Sequence, residues 1–303
     1  MSKYDQAAET TVAYSLCMTS KSFETNRVRI LRVQLYIEEH LDEDLSVERL
    51  AAVAHVSPFH FHRIFRANVG EGVAEYVRRI RIEAAAVALK STSDSVTTIA
   101  LDAGYGSHEA FTRAFRRRFG VSPLDCRNNH LLNAKEQETK TMSGEITTRE
   151  VRVETIDPLR VAFLRFVGPY EDCGPTFDRL MGWAGPKGLL GPGTKVLAVC
   201  HDDPDVTPAD KLRLDCCFTV PEDFEAVDDL QVQTIPAGEC VVLTHRGPYT
   251  GLKEAYGWLY GEWLSTSGRE FANQPPFEIY INNPSDTSPE DLVTEICVSL
   301  KPR

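Results

Sequence analysis

The chain has 303 residues, 42% hydrophobic and 25% charged, with a formal net charge of -11. This is the composition of an ordinary globular protein of one to three domains. No run of 18 apolar residues occurs, which excludes a membrane-spanning helix, and no membrane partner is expected.

The first 27 residues, "MSKYDQAAETTVAYSLCMTSKSFETNR", are polar and lack the apolar core of a signal peptide. They read as a flexible tail, residues 1–27, on a cytoplasmic protein. The eight cysteines, Cys17, Cys126, Cys173, Cys200, Cys216, Cys217, Cys240 and Cys297, form no CxxC, and no histidine pair stands at zinc spacing. Free thiols, no metal and no cofactor are therefore expected. Charge is split unevenly. Residues 1–144 hold 19 Lys+Arg against 18 Asp+Glu, and residues 145–303 hold 14 against 26, so the halves are expected to meet different partners.

The next segment repeats itself. "SVERLAAVAHVSPFHFHRIFRANVG" overlays "SVTTIALDAGYGSHEAFTRAFRRRFG" with one inserted glycine. Ser57, Phe61, Arg63, Phe65, Arg66 and Gly70 fall on Ser107, Phe111, Arg113, Phe115, Arg116 and Gly120. Apolar residues four apart make one helical face, a serine opens each helix and a glycine closes it. Each repeat reads as a short helix, a tight turn and a second helix, the layout whose second helix enters the DNA major groove. Between the repeats, "GVAEYVRRIRIEAAAVALKS" predicts a helix of about 19 residues, roughly 28 Å long at 1.5 Å per residue. That length suits two recognition helices about one DNA turn, roughly 34 Å, apart.

These residues resemble the AraC/XylS-type double helix-turn-helix domain. The most specific stretch is "TIALDAGYGSHEAFTRAFRRRFGVSPLDCR", with Cys126 departing from the tyrosine usual in the family. The resemblance implies an all-α domain over residues 28–128 that binds double-stranded DNA, with RNA polymerase as a further partner. It places base readers at Phe59, His62 and Arg63 in the first recognition helix, and at His108, Glu109 and Arg113 in the second, with Thr112 a further DNA-binding residue. Arg66, Arg116 and Arg117 are expected on phosphates, which position without specifying. Local charge supports this: residues 57–81 and 107–127 each carry five arginines against two acids.

A polar stretch, residues 129–146, reads as a linker. Beyond it "RVAFLRFVGPYEDCGPTFDRLMGW" parallels "ECVVLTHRGPYTGLKEAYGWLYGEW", and "LRLDCCFTV" parallels "LVTEICVSL", with Asp215 opposite Glu295. Each half runs strand, turn, helix, strands, which predicts an α+β domain with pseudo-twofold symmetry over residues 147–303. This half is similar to the GyrI-like small-molecule-binding domain. The resemblance implies a pocket for a small, lipophilic, cationic effector, lined by Tyr170, Trp183, Tyr249, Tyr256, Trp258, Trp263 and Tyr280 around the carboxylate of Glu295. The other reading of Glu295 is a structural ion pair with a nearby Arg or Lys. No Ser-His-Asp order, metal motif or phosphate loop is present, so catalysis is not expected. The alternatives are a GyrI-like hydrolase of small hydrophobic esters or amides, and a C-terminal protein-interaction module. The fold expected for the whole is multidomain: an all-α double helix-turn-helix followed by an α+β pseudo-twofold domain.

Overall fold

A computed structural model describes residues 26–129, 149–226 and 229–302. The expected tail and linker lie almost wholly outside the described residues, as does Cys17. The chain divides into two compact units. One runs through Ile82 and includes Leu101–Tyr105; the other takes Glu83–Ala100 and everything from Gly106 onward.

The first unit is helical. α1 (residues 26–39), α2 (Val47–Val53), α3 (Pro58–Val69) and the start of α4 (Val73–Ser91) enclose one core. Ile30, Val33 and Ile37 face Leu50, Ala54, Phe61 and Phe65, all nearly free of solvent. Ala51 and Ala54 leave room for α2 to approach α3 closely. The turn between them passes through His55 at φ 55°, a left-handed conformation unusual for a residue with a Cβ. At the matching place in the second repeat stands Gly104 at φ 71°, where a Cβ would meet the Arg81 guanidinium at 2.6 Å. Arg81 is held there by the carbonyls of Leu41 and Glu43, so the glycine leaves space for this clamp.

In the second unit α5 (Val96–Asp102) and α6 (His108–Phe119) repeat the pair, with Phe111 and Phe115 fully buried. A further helix, α7 (residues 123–129), follows. From residue 150 the chain forms one antiparallel sheet of eight strands: β1 (Glu150–Ile156), β2 (Leu159–Val167), β3 (Val196–Cys200), β4 (Arg213–Thr219), β5 (Gln231–Ile235), β6 (Gly238–Arg246), β7 (Phe277–Tyr280) and β8 (Val293–Ser299). Their order is β1-β6-β8-β7-β3-β4-β2-β5. The order is symmetric about the β7–β3 pair, and the halves exchange their edges: β1 adds to β6, while β5 adds to β2. The expected pseudo-twofold α+β domain is thus present, with its local dyad between β7 and β3.

Each half covers one sheet face with a helix. α8 (Gly174–Ala184) lays Phe177, Leu180, Met181 and Ala184 on Ala162, Leu164, Leu214 and Phe218. Those helical positions follow the i, i+3, i+4, i+7 rule for a core-facing stripe. α9 (Leu252–Trp258) continues through a π turn, Leu259–Trp263, into α10 (Leu264–Ser267). This second helix covers Val241, Leu243, Ile296 and Val298. Alternate residues of the strands point to the other face, where Asp215 and Glu295 lie.

Candidate functional site

Each of the repeated helix pairs builds a candidate face of its own. Because their core rings are four apart, the intervening residues must face outward. On α3, Phe59, His62, Arg63 and Arg66 are exposed, and Phe59 leaves 70% of its surface open. On α6, His108, Glu109, Arg113, Arg116 and Arg117 are exposed. Thr112 stands apart: it is half-buried, and its hydroxyl is buried without a hydrogen-bond partner among the described residues. Arg118, the last of the arginine run, turns to Glu83 at 3.1 Å and lies over the Phe119 ring. Ser107 Oγ caps α6 by accepting the Ala110 N–H at 3.2 Å. The backbone of that first turn and Ser107 hold the Glu109 carboxyl below the usual carboxylate range. Such faces offer guanidinium forks for guanine or phosphate and a carboxylate acceptor for cytosine.

The second candidate site sits on the dyad, between the two helix-covered cores. β7 pairs with β3 so that Glu278 lies opposite Ala198. Glu278 is 6% exposed. Tyr280 donates its hydroxyl to Glu278 Oε2 at 3.0 Å, and the Cys200 thiol lies 3.8 Å from Oε1. The buried Tyr256 hydroxyl makes no hydrogen bond among the described residues, yet it faces Glu278 and Cys200 closely enough to interact with both. No Lys, Arg or His among the described residues pairs with Glu278. Burial pushes its carboxyl above the usual range, although Tyr280, Tyr256 and Cys200 pull the other way. Burial and the same carboxylate push Tyr280 and Tyr256 up.

Two further rings complete the wall on one side. Phe177 meets Tyr280 edge-on at 5.6 Å, and Tyr249 does so at 5.5 Å. Tyr170 packs with Tyr280 in the same core, its hydroxyl tied to the backbone of Asp202 and Arg213. The site therefore presents one uncompensated acid among aromatic rings whose electron-rich faces, like the carboxylate, attract a desolvated cation. The π turn begins three residues after Tyr256, in keeping with the habit of π turns to fall near functional positions.

Glu295 is not part of this group. It lies on the other sheet face, where Arg152 from β1 pairs with it at 2.8 Å, so the carboxylate of the aromatic site is Glu278 instead. The strand alternation explains the exchange: Glu295 pairs with Ile279, the neighbour of Glu278, and neighbours point to opposite faces. Asp215, its repeat partner, is buried in the same manner by Arg165 at 2.8 Å, His201 at 2.7 Å and Gln233 at 3.0 Å. Burial raises the Asp215 carboxyl, but Arg165 and His201 outweigh it and hold it well below the usual range. Among the described contacts, the three tryptophans engage other partners. Trp183 lies under Lys187 at 4.1 Å, Trp258 under Arg149 at 5.6 Å, and Trp263 stacks on Phe271 at 6.1 Å.

The sequence does hold a signal for Glu278. Extending the repeat by 80 positions lays "FEIY" on "LAVC", so Glu278 and Tyr280 replace Ala198 and Cys200. An acid where the partner strand carries alanine marks the half that departed from symmetry.

Comparison with known proteins gives two family matches. Residues 149–301 match the GyrI-like small molecule binding domain, and residues 50–129 match a helix-turn-helix domain. The transcriptional regulator Rob of Salmonella typhimurium is 32% identical over 123 residues, which cover 41% of this chain and 43% of Rob. The regulatory protein SoxS of the same organism is 37% identical over 93 residues, 31% of this chain and 87% of SoxS. The chain thus spans less than half the length of the first of these relatives. A chain from the cryo-EM structure of an EcmrR–DNA complex aligns at TM-score 0.47 and 16% identity, over 85% of this chain and 99% of that one.

Proposed function

The chain belongs to the AraC-type regulators that carry a GyrI-like small molecule binding domain, and from that premise we propose that it is a one-component transcriptional regulator responding to a lipophilic organic cation. The exposed faces of α3 and α6 each read a major-groove segment. Arg63 and Arg113 are the base-reading arginines; Arg66, Arg116 and Arg117 serve the phosphates. The effector enters the tyrosine-lined site over Glu278, and its occupancy changes how the helical half engages DNA or RNA polymerase.

The observation that carries this reading is a carboxylate 6% exposed with no cationic partner among the described residues. A buried charge without compensation is unfavourable, and a ligand cation supplies the compensation that the chain withholds. The test is selection of bound duplexes from random-sequence DNA by the full chain, followed by footprinting with and without tetraphenylphosphonium. Enrichment of one site, with protection or polymerase recruitment altered by the cation, is expected. Failure to enrich any sequence would remove the DNA half of the proposal. A footprint and polymerase recruitment both indifferent to the cation would remove the effector half.

A further inference from the structure

The two Gly-Pro-Tyr turns share their backbone hydrogen bonds, but not the bonding of their tyrosines. The Gly168 N–H donates to the Leu212 carbonyl at 2.9 Å, and the Gly247 N–H donates to the Leu292 carbonyl at 2.9 Å. Asp172 N–H bonds the Pro169 carbonyl at 2.9 Å, as Gly251 N–H bonds that of Pro248 at 2.9 Å. The Asp202 side chain accepts the Arg213 N–H at 2.7 Å, and its counterpart Asn282 accepts the Val293 N–H at 2.9 Å.

Against this shared frame, Tyr170 is locked. Its hydroxyl donates to the Asp202 carbonyl at 2.7 Å and accepts the Asp202 N–H at 3.1 Å. The counterpart acceptor for Tyr249 is the backbone of Asn282. Tyr249 does not take it: its hydroxyl makes no hydrogen bond among the described residues, its ring leans edge-on against Tyr280 at 5.5 Å, and it is 38% exposed. Tyr280 in turn bonds Glu278. Tyr249 is thus a half-exposed ring against the tyrosine that bonds Glu278, and it does not make the bond that its repeat partner makes.

We propose that Tyr249 is a two-position gate of the Glu278 site. In the closed position its ring covers Tyr280. In the open position its hydroxyl bonds the Asn282 backbone, as Tyr170 bonds Asp202, and the path to Glu278 is clear. The two positions exchange a ring–ring contact for one or two hydrogen bonds of comparable strength, so neither is overwhelmingly favoured. This inference rests on the assignment of Glu278 as the effector site, and its test separates the two.

The full chain is labelled with 3-fluorotyrosine at position 249 and followed by fluorine NMR, free and with tetraphenylphosphonium, beside calorimetry of the same cation. The expected result is two exchanging environments in the free chain and a shift toward one on binding. Asn282→Ala, which loosens the turn carrying the acceptor, should change their ratio, whereas Asp202→Ala should not. Exchange without any calorimetric binding would keep the gate and discard the ligand class. A single environment that stays unchanged while the cation binds would overturn the gate. In stopped-flow binding, Tyr249→Ala should raise the entry rate about tenfold or more. A change in the exit rate alone would make Tyr249 an ordinary contact and likewise overturn the gate.

Discussion

Glu278 and Asp215 are both buried carboxylates, and their surroundings treat them oppositely. Asp215 has an arginine, a histidine and an amide; Glu278 has hydroxyls and a thiol. Opposite pH behaviour follows. The raised carboxyl of Glu278 means that the unfolded chain loses this proton first as pH rises above about 4.5. Its burial therefore costs stability increasingly with rising pH, up to the folded-state value. Glu278→Gln should raise the thermal midpoint, with a gain that grows as pH climbs through that window; parallel melting curves at all pH values would contradict this. Asp215 is depressed, so its contribution is complete above the ordinary carboxylate range and fades as pH falls below it. Asp215→Asn leaves Arg165 and His201 buried without their charge partner and should cost about 3–5 kcal/mol in urea unfolding. A loss under 1 kcal/mol would mean the network relaxes around the amide.

Among the elements, α6 carries the clearest separate roles. Its cap, Ser107, satisfies the Ala110 N–H, so Ser107→Ala should lower stability by about 1 kcal/mol. Arg113→Ala should cost about 1–3 kcal/mol on the selected duplex and much less on a scrambled one, if it reads guanine. Arg116→Ala should weaken both duplexes alike. Equal losses on both duplexes for Arg113→Ala would demote it to a phosphate contact. These helices were legible because their signals are local: serine caps, glycine stops and phenylalanines four apart. The halves of the sheet were legible for the same reason, through Gly168-Pro169-Tyr170 and Gly247-Pro248-Tyr249. The identity of the carboxylate at the aromatic site was not. β7 has only four residues, too few for alternation to show a face. Which side Glu278 takes depends on pairing with Ala198, 80 positions away. Glu295 lies in a longer alternating strand and drew attention for that reason, whereas its partner Arg152 comes from β1, 143 positions away, beyond any local pattern.

Across the molecule, the charge split and the division into compact units do not coincide. The second unit takes the end of α4 and all of α6 along with the sheet. Within it Lys90 bonds Asp203 at 2.9 Å and Lys301 bonds Asp94 at 2.9 Å. A fragment of residues 1–144 should still bind DNA, but it should melt below the corresponding transition of the full chain because it lacks these partners; an unchanged midpoint would make the contacts incidental. Effector recognition is assigned to one side chain, Glu278. Calorimetric titration of tetraphenylphosphonium into the full chain, Glu278→Gln and Glu295→Gln at pH 7 and fixed salt addresses it directly. The predicted result is a loss of about tenfold or more, over 1.4 kcal/mol, for Glu278→Gln and wild-type affinity for Glu295→Gln. Unchanged binding by Glu278→Gln, or a loss confined to Glu295→Gln, would contradict it.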